Sequence, residues 1–155
     1  SEDFVIGSNA DIDPNILNLY TSYPCRLKAE VFVLCMGGSI EASINLSDYT
    51  IKKYDFVTLS PASIIQINKI EGDLKLYFMV FSSDFINGIS KTKAIIDLIY
   101  ITKNHPILSL PKEFACIYEE FFTLMMKVYY KEHSPYASFN SIQTERYVSR
   151  TSHTE

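Results

Sequence analysis

Between Cys25 and Phe81 apolar and polar residues alternate with a period of two, in short bursts broken by turn formers. That is the pattern of β-strands with one covered face. In CRLKAEVFVLCM, Leu27, Ala29 and Val31 fall on one face and Arg26, Lys28 and Glu30 on the other. From Val31 to Met36 both faces are apolar, as in a strand covered on both sides. Gly37 and Gly38 predict a turn. Ile40, Ala42, Ile44 and Leu46 then alternate with Glu41, Ser43 and Asn45. Ser47 and Asp48 predict a second turn. Residues 49–51 and 56–59 read as short strands around the polar corner Lys52, Lys53, Tyr54 and Asp55, and Pro61 ends the second. Residues 64–70 and 74–81 predict two more strands around Glu71, Gly72 and Asp73, a hairpin turn with glycine at its centre. Six or seven strands in about 60 residues suit a sandwich or closed barrel. The first 20 residues, with turn formers in SNADIDPN, read as an arm carrying one short strand.

After Phe81 the period changes. Ser82, Ser83 and Asp84 form a helix-start signal before FINGI. Residues 91–103 are apolar at 95, 96, 98, 99 and 101, which predicts a short helix stopped by Asn104, His105 and Pro106. Residues 111–131 give the strongest helical pattern, with Pro111 and Glu113 in the first turn, where a helix favours them. Phe114, Ile117, Tyr118, Phe121, Met125 and Val128 make one stripe at steps of three and four, widened by Phe122, Leu124 and Tyr129. Ser134 and Pro135 can cap a last helix, and TERYVSRTSHTE, from Thr144, is polar and reads as a linker. Strands come first and helices after, so the class is α+β.

Composition narrows the chemistry. The chain has 155 residues, 47% of them hydrophobic and 14% aromatic, which is one domain able to bury a core. Its net charge of −4 argues against a phosphate backbone as the direct partner of this chain. Cys25, Cys35 and Cys116 are odd in number and lack the CxxC spacing, so they predict buried thiols in a reducing cytoplasm rather than disulfides or zinc. No apolar run approaches the about 20 residues of a membrane span. A metal-binding barrel brings histidines together on one strand face. Here His105, His133 and His153 all lie outside the strand region, and the strand SIEASINL has none. No metal and no cofactor is therefore expected. There is no glycine-rich phosphate loop, no GxSxG and no nucleophile–base spacing, so an enzyme is not expected either. An inward face of aromatics with few polar groups has the profile of a binding cavity.

Gly38, the alternating strand at 40–46, then Tyr49, Thr50, Ile51, Asp55, Phe56, Val57, Leu59, Ser60 and Pro61 resemble the amino-terminal cupin-like sensor domain of AraC-family bacterial transcription regulators. Tyr54 stands where that family usually has a corner glycine. HPILSLPKEFACIYEEFFTLM resembles the family's short linker and long amphipathic dimerisation helix. The likeness covers roughly residues 4 to 133. A second dimerisation helix at 134–149 would be poorer in apolar residues than the family pattern. The resemblance implies an antiparallel cupin-like β-barrel with its arm at 1–82, a helical dimerisation element at 83–143, and at 144–155 a linker toward a DNA-binding domain absent from this chain. It implies a cytoplasmic homodimer that senses a small organic effector, with DNA bound only through the missing domain and no membrane.

For the effector pocket, Arg26, Glu30, Gln66, Tyr77 and Phe78 are the candidates. Two strands supply the candidate lining: on 73–81, Leu74, Leu76, Phe78 and Val80 alternate with Lys75, Tyr77, Met79 and Phe81, the second set mixing aromatic surface with a hydroxyl, and on 27–35, Leu27, Ala29, Val31 and Val33 form the smoother face. For the dimer interface they are Phe114, Ile117, Tyr118, Phe121, Phe122, Met125 and Tyr129. Two other readings stay open: a structural dimerisation module with a side-chain-filled barrel, and a metal-free cupin enzyme.

Overall fold

The computed structural model describes residues 3–88, 104–131 and 144–146, together with Lys93, Asp97 and Tyr100. The fold is α+β, built on one large antiparallel sheet. In chain order its strands are β1 (Phe4–Ser8), β2 (Cys25–Leu27), β3 (Ala29–Ile44), β4 (Ser47–Ile51), β5 (Asp55–Leu59), β6 (Ile64–Ser82), β7 (Ile107–Ser109) and β8 (Thr144–Arg146). The helices delimited among the described residues are α1 (Pro14–Ser22), α2 (Ser83–Gly88) and α3 (Lys112–Tyr130).

The frame is a ribbon of two long strands. β3 pairs with β6 from Ala29↔Ser82 to Ile44↔Ile65. The outer edge of β3 carries β5 near one end and β4 near the other, and the outer edge of β6 carries β1 and β2. β7 extends the sheet beyond β5, and β8 extends it beyond β2. The strand path runs β7-β5-β3-β6-β2-β8, and no pairing joins its ends among the described residues, so the sheet does not close.

Gly37 and Gly38 do not end a strand, nor do Glu71, Gly72 and Asp73 form a hairpin turn; both lie inside the ribbon, facing each other. The register slips between Cys35 and Gly37, between Gly37 and Ser39, and between Glu41 and Ala42. Such bulges bend a strand and change which alternate residues face inward. Gly38 has φ +69°, and a Cβ there would lie 2.8 Å from Leu74 Cα, so the strands approach as closely as they do only because the residue is glycine. The bend creates two packed clusters. Val5, Ile6, Leu34, Phe78 and Val80 join Phe122 and Tyr129 of α3 in one. Cys35, Ile40, Ala42, Ile44, Ile51 and Val57 form the other.

Three further elements depart from expectation. The segment expected to be an arm contains α1, capped by the Asp13 side chain on Asn15 N with Pro14 as the first helical residue. Residues 107–109, expected to be part of a linker, are an edge strand on β5. Residues 144–146, expected to be linker too, pair with β2. Lys93, Asp97, Tyr100 and Asn104 are helical, in line with a helix at 91–103. The rest of that helix, and all of 134–149 except 144–146, lie outside the described residues.

The Tyr54 corner fits its chemistry. Tyr54 has φ +77°, a left-handed backbone that favours glycine. Asp55, 1% exposed, accepts from Lys52 N and from Ser109 Oγ, fixing the corner to β7.

Candidate functional site

The bent ribbon folds over a cavity of about 230 Å³. On β3, Ala29, Val31 and Val33 line it before the bend and Ile40 after it. On β6 the lining passes from Ile65 and Ile67 to Ile70, Leu74, Leu76, Phe78 and Val80. The phase switch between Ile67 and Ile70 is the bulge at Glu41/Ala42, where Lys69 and Ile67 face consecutive residues of β3. Without it, alternation would turn Ile70 outward. α1 lies across the cavity and contributes Ile16, Leu17 and Tyr20; it has no buried residue, so it is the wall least held by packing.

Asn9 fixes the joint between this wall and the ribbon. Its Nδ2 donates to Leu74 O at 3.1 Å, and its Oδ1 accepts from Leu76 N at 2.8 Å. The short 3-10 turn Asn9–Asp11 is closed by a capping box in which Asp11 accepts from Ser8 N. The same Asp11 carboxylate accepts from the hydroxyl of Tyr130, the last residue of α3. Burial, then the carboxylate, push the Tyr130 phenol well above its ordinary range. Gly7 sits inside this junction: a Cβ there would meet Asp11 Oδ2, Phe78 Cζ and Tyr130 O–H within 3.3 Å. One cavity wall and the end of α3 thus share a joint.

Of the five pocket candidates, Phe78 lines the cavity. The other four stand in the opposite strand phase. Arg26 pairs with Ile64 and precedes the lining residue Leu27. Glu30 lies between the lining residues Ala29 and Val31, and Gln66 between Ile65 and Ile67. Tyr77 turns toward α3, where its hydroxyl donates to Glu119 at 2.8 Å and its ring lies 5.8 Å from that of Phe122. The lining face of β6 is therefore the one with Leu74, Leu76, Phe78 and Val80, not the one with Lys75, Tyr77, Met79 and Phe81. The lining residues that sequence reasoning missed are Asn9, Ile12, Ile40, Leu59, Ile65, Ile67, Ile70 and those of α1; for α1 the signal present was Asp13-Pro14 followed by Ile16, Leu17 and Tyr20.

Glu30 is buried, at 6% exposed, and among the described residues its carboxyl has no hydrogen-bond or ion-pair partner. Burial alone pushes its carboxyl up to about 7. It faces Phe81 across β6. Glu119 shows the contrasting case: burial opposes its charge, but hydrogen bonds from Lys75 and Tyr77 outweigh that and hold its carboxyl below the usual range. Among the described residues no three His, Cys, Asp or Glu side chains converge as a metal would require. Of the three histidines, His133 and His153 lie outside the described residues.

The second feature is α3. Its inward row repeats every seven residues, Ala115, Phe122 and Tyr129, all buried against the ribbon. Its outward row is also apolar: Phe114, Ile117, Phe121, Leu124 and Val128 are each 51–60% exposed. Tyr118 lies between the rows, its ring edge-on to Phe56 at 5.6 Å. Of the seven interface candidates, Phe122 and Tyr129 are core residues of this chain and Met125 packs partly against them; Phe114, Ile117 and Phe121 form the exposed row, with Tyr118 at its margin.

No protein-family model matches the chain, and no curated protein matches it. No helix among the described residues is long and apolar enough to cross a membrane.

Proposed function

We propose that this chain is the effector-sensing and dimerisation part of an AraC-like transcription regulator, a cupin-like sheet around a binding cavity, with DNA binding carried by a further domain. The observation that supports this most is the pairing of an apolar cavity with a helix that has a second, outward apolar face, the two joined at Asp11 and Tyr130. The lining carries no carboxylate, imidazole, thiol or amine, which favours binding over catalysis. A cavity of about 230 Å³ favours an effector over a barrel filled by its own side chains.

The outward row of α3 exposes on the order of 500 Å² of apolar surface, the size of patch that monomers seldom leave open without a use. Two such rows packed about a two-fold axis, with their flanks, reach the lower range of stable interfaces. The partner is a second copy of this chain. Fusing residues 1–155 to a DNA-binding domain that represses a reporter only as a dimer tests this. Repression that is lost with Phe121→Glu is the expected result. A fusion that never represses would remove the dimerisation part of the reading.

A further inference from the structure

We infer that the cavity's ligand is an uncharged, mainly hydrocarbon molecule of roughly nine non-hydrogen atoms, since an apolar cavity of about 150 Å³ holds benzene and this one measures about 230 Å³. The inference rests on the reading of the cavity as an effector site and adds the chemical class. Of the 18 lining residues, 16 are aliphatic or phenylalanine; the others are Asn9 and Tyr20. Both ends of the Asn9 amide already bond the β6 backbone. A sugar would bring several hydroxyls into a space with almost nothing to receive them, and each unsatisfied one weakens binding at least several-fold. No Lys, Arg or His lines the cavity, so a carboxylate would enter without a counter-charge. Arg26 and Lys28, the cations on either side of the lining residue Leu27, do not line the cavity. An alkyl chain meets none of these penalties, and each methylene it buries tightens binding about fourfold.

A homologous series of 2-alkanones, titrated calorimetrically into the 155-residue protein at pH 7, tests this. The dissociation constant should fall about fourfold per methylene and stop falling at roughly nine non-hydrogen atoms. Octanoate should bind at least tenfold more weakly than 2-nonanone, and arabinose should give no heat. Leu76→Ala, which enlarges the cavity, should move the optimum to a longer chain. Val33→Phe, which fills it, should weaken 2-nonanone at least tenfold. Tighter binding of octanoate or arabinose than of 2-nonanone would overturn the chemical class and leave the effector reading standing. Absence of binding by every compound, in wild type and Leu76→Ala alike, would overturn both.

Discussion

Alanine at Gly38 should destabilise the fold more than alanine at either of the ribbon's other glycines, Gly37 and Gly72. Gly38 has φ +69°, where a residue with a Cβ costs about 1–2 kcal/mol. The new Cβ would also stand 2.8 Å from Leu74 Cα and 3.0 Å from both Glu71 O and Leu74 N. All three are backbone atoms, so no side chain can swing aside, and β6 itself must shift. Overpacking of this kind costs a further ~1–3 kcal/mol. The sum is about 2–5 kcal/mol. Two controls separate the components. Gly72 has φ +75° but only Gly38 Cα at 3.4 Å, so Gly72→Ala should lose about 1–2 kcal/mol from backbone strain alone. Gly88 has nothing within 4 Å, and Gly88→Ala at the end of α2 should be neutral or stabilising by up to about 1 kcal/mol. Urea unfolding followed by circular dichroism suits a protein without tryptophan, and midpoints at unchanged slope give the differences. A Gly38→Ala protein within about 1 kcal/mol of wild type, or more stable than Gly72→Ala, would refute the bent-ribbon geometry.

Three other outcomes follow from the site. Glu30 is protonated in the folded state up to about pH 7 but ionises near 4.5 when unfolded, so its burial erodes stability as pH rises from about 4.5 to 7. Glu30→Gln should raise stability at pH 8 by up to about 3 kcal/mol and change it little at pH 4.5; equal gains at both would contradict the burial of that carboxyl. Phe122→Ala should cost about 3–5 kcal/mol in urea unfolding, whereas Phe121→Ala, on the outward row, should leave the monomer's stability within about 0.5 kcal/mol. Tyr130→Phe should cost about 1.5–3 kcal/mol, and adding Asp11→Ala should cost less than the two separate losses combined, since each removes one partner of the same bond; strict additivity would show that the bond is absent.

The strands were legible because the sheet keeps one face in the core along each stretch, so period-two patterning at 27–33, 40–44 and 74–81 survives in the sequence; Leu46, in the same phase as Ile44, is instead 93% exposed in the turn after β3. What misled was the glycine pairs. Gly37, Gly38 and Gly72 carry the same local signal whether the chain turns back or two strands merely approach closely. The decision rests on long-range pairing that no local window contains. The apolar phase shift from Ile67 to Ile70 was the visible trace of the bulge. Both phases of β6 between 74 and 81 are largely apolar, so alternation alone does not choose between them; the lining is the phase with Leu74, Leu76, Phe78 and Val80. α3 was legible as a helix, but its width of apolar surface does not say which residues face the chain's own core. Packing against β1 and β6 decides that Phe122 is inward and Phe121 outward.

The space under α1 should receive a ligand. Isotope-filtered nuclear Overhauser spectra of the protein with 2-nonanone test it most directly. Cross-peaks should run from the alkyl chain to the methyl groups of Val31 and Leu76 and to the ring of Phe78, with Ile16 of α1 among the shifted resonances. Cross-peaks only to the outward row of α3, or none with the lining methyls, would contradict it.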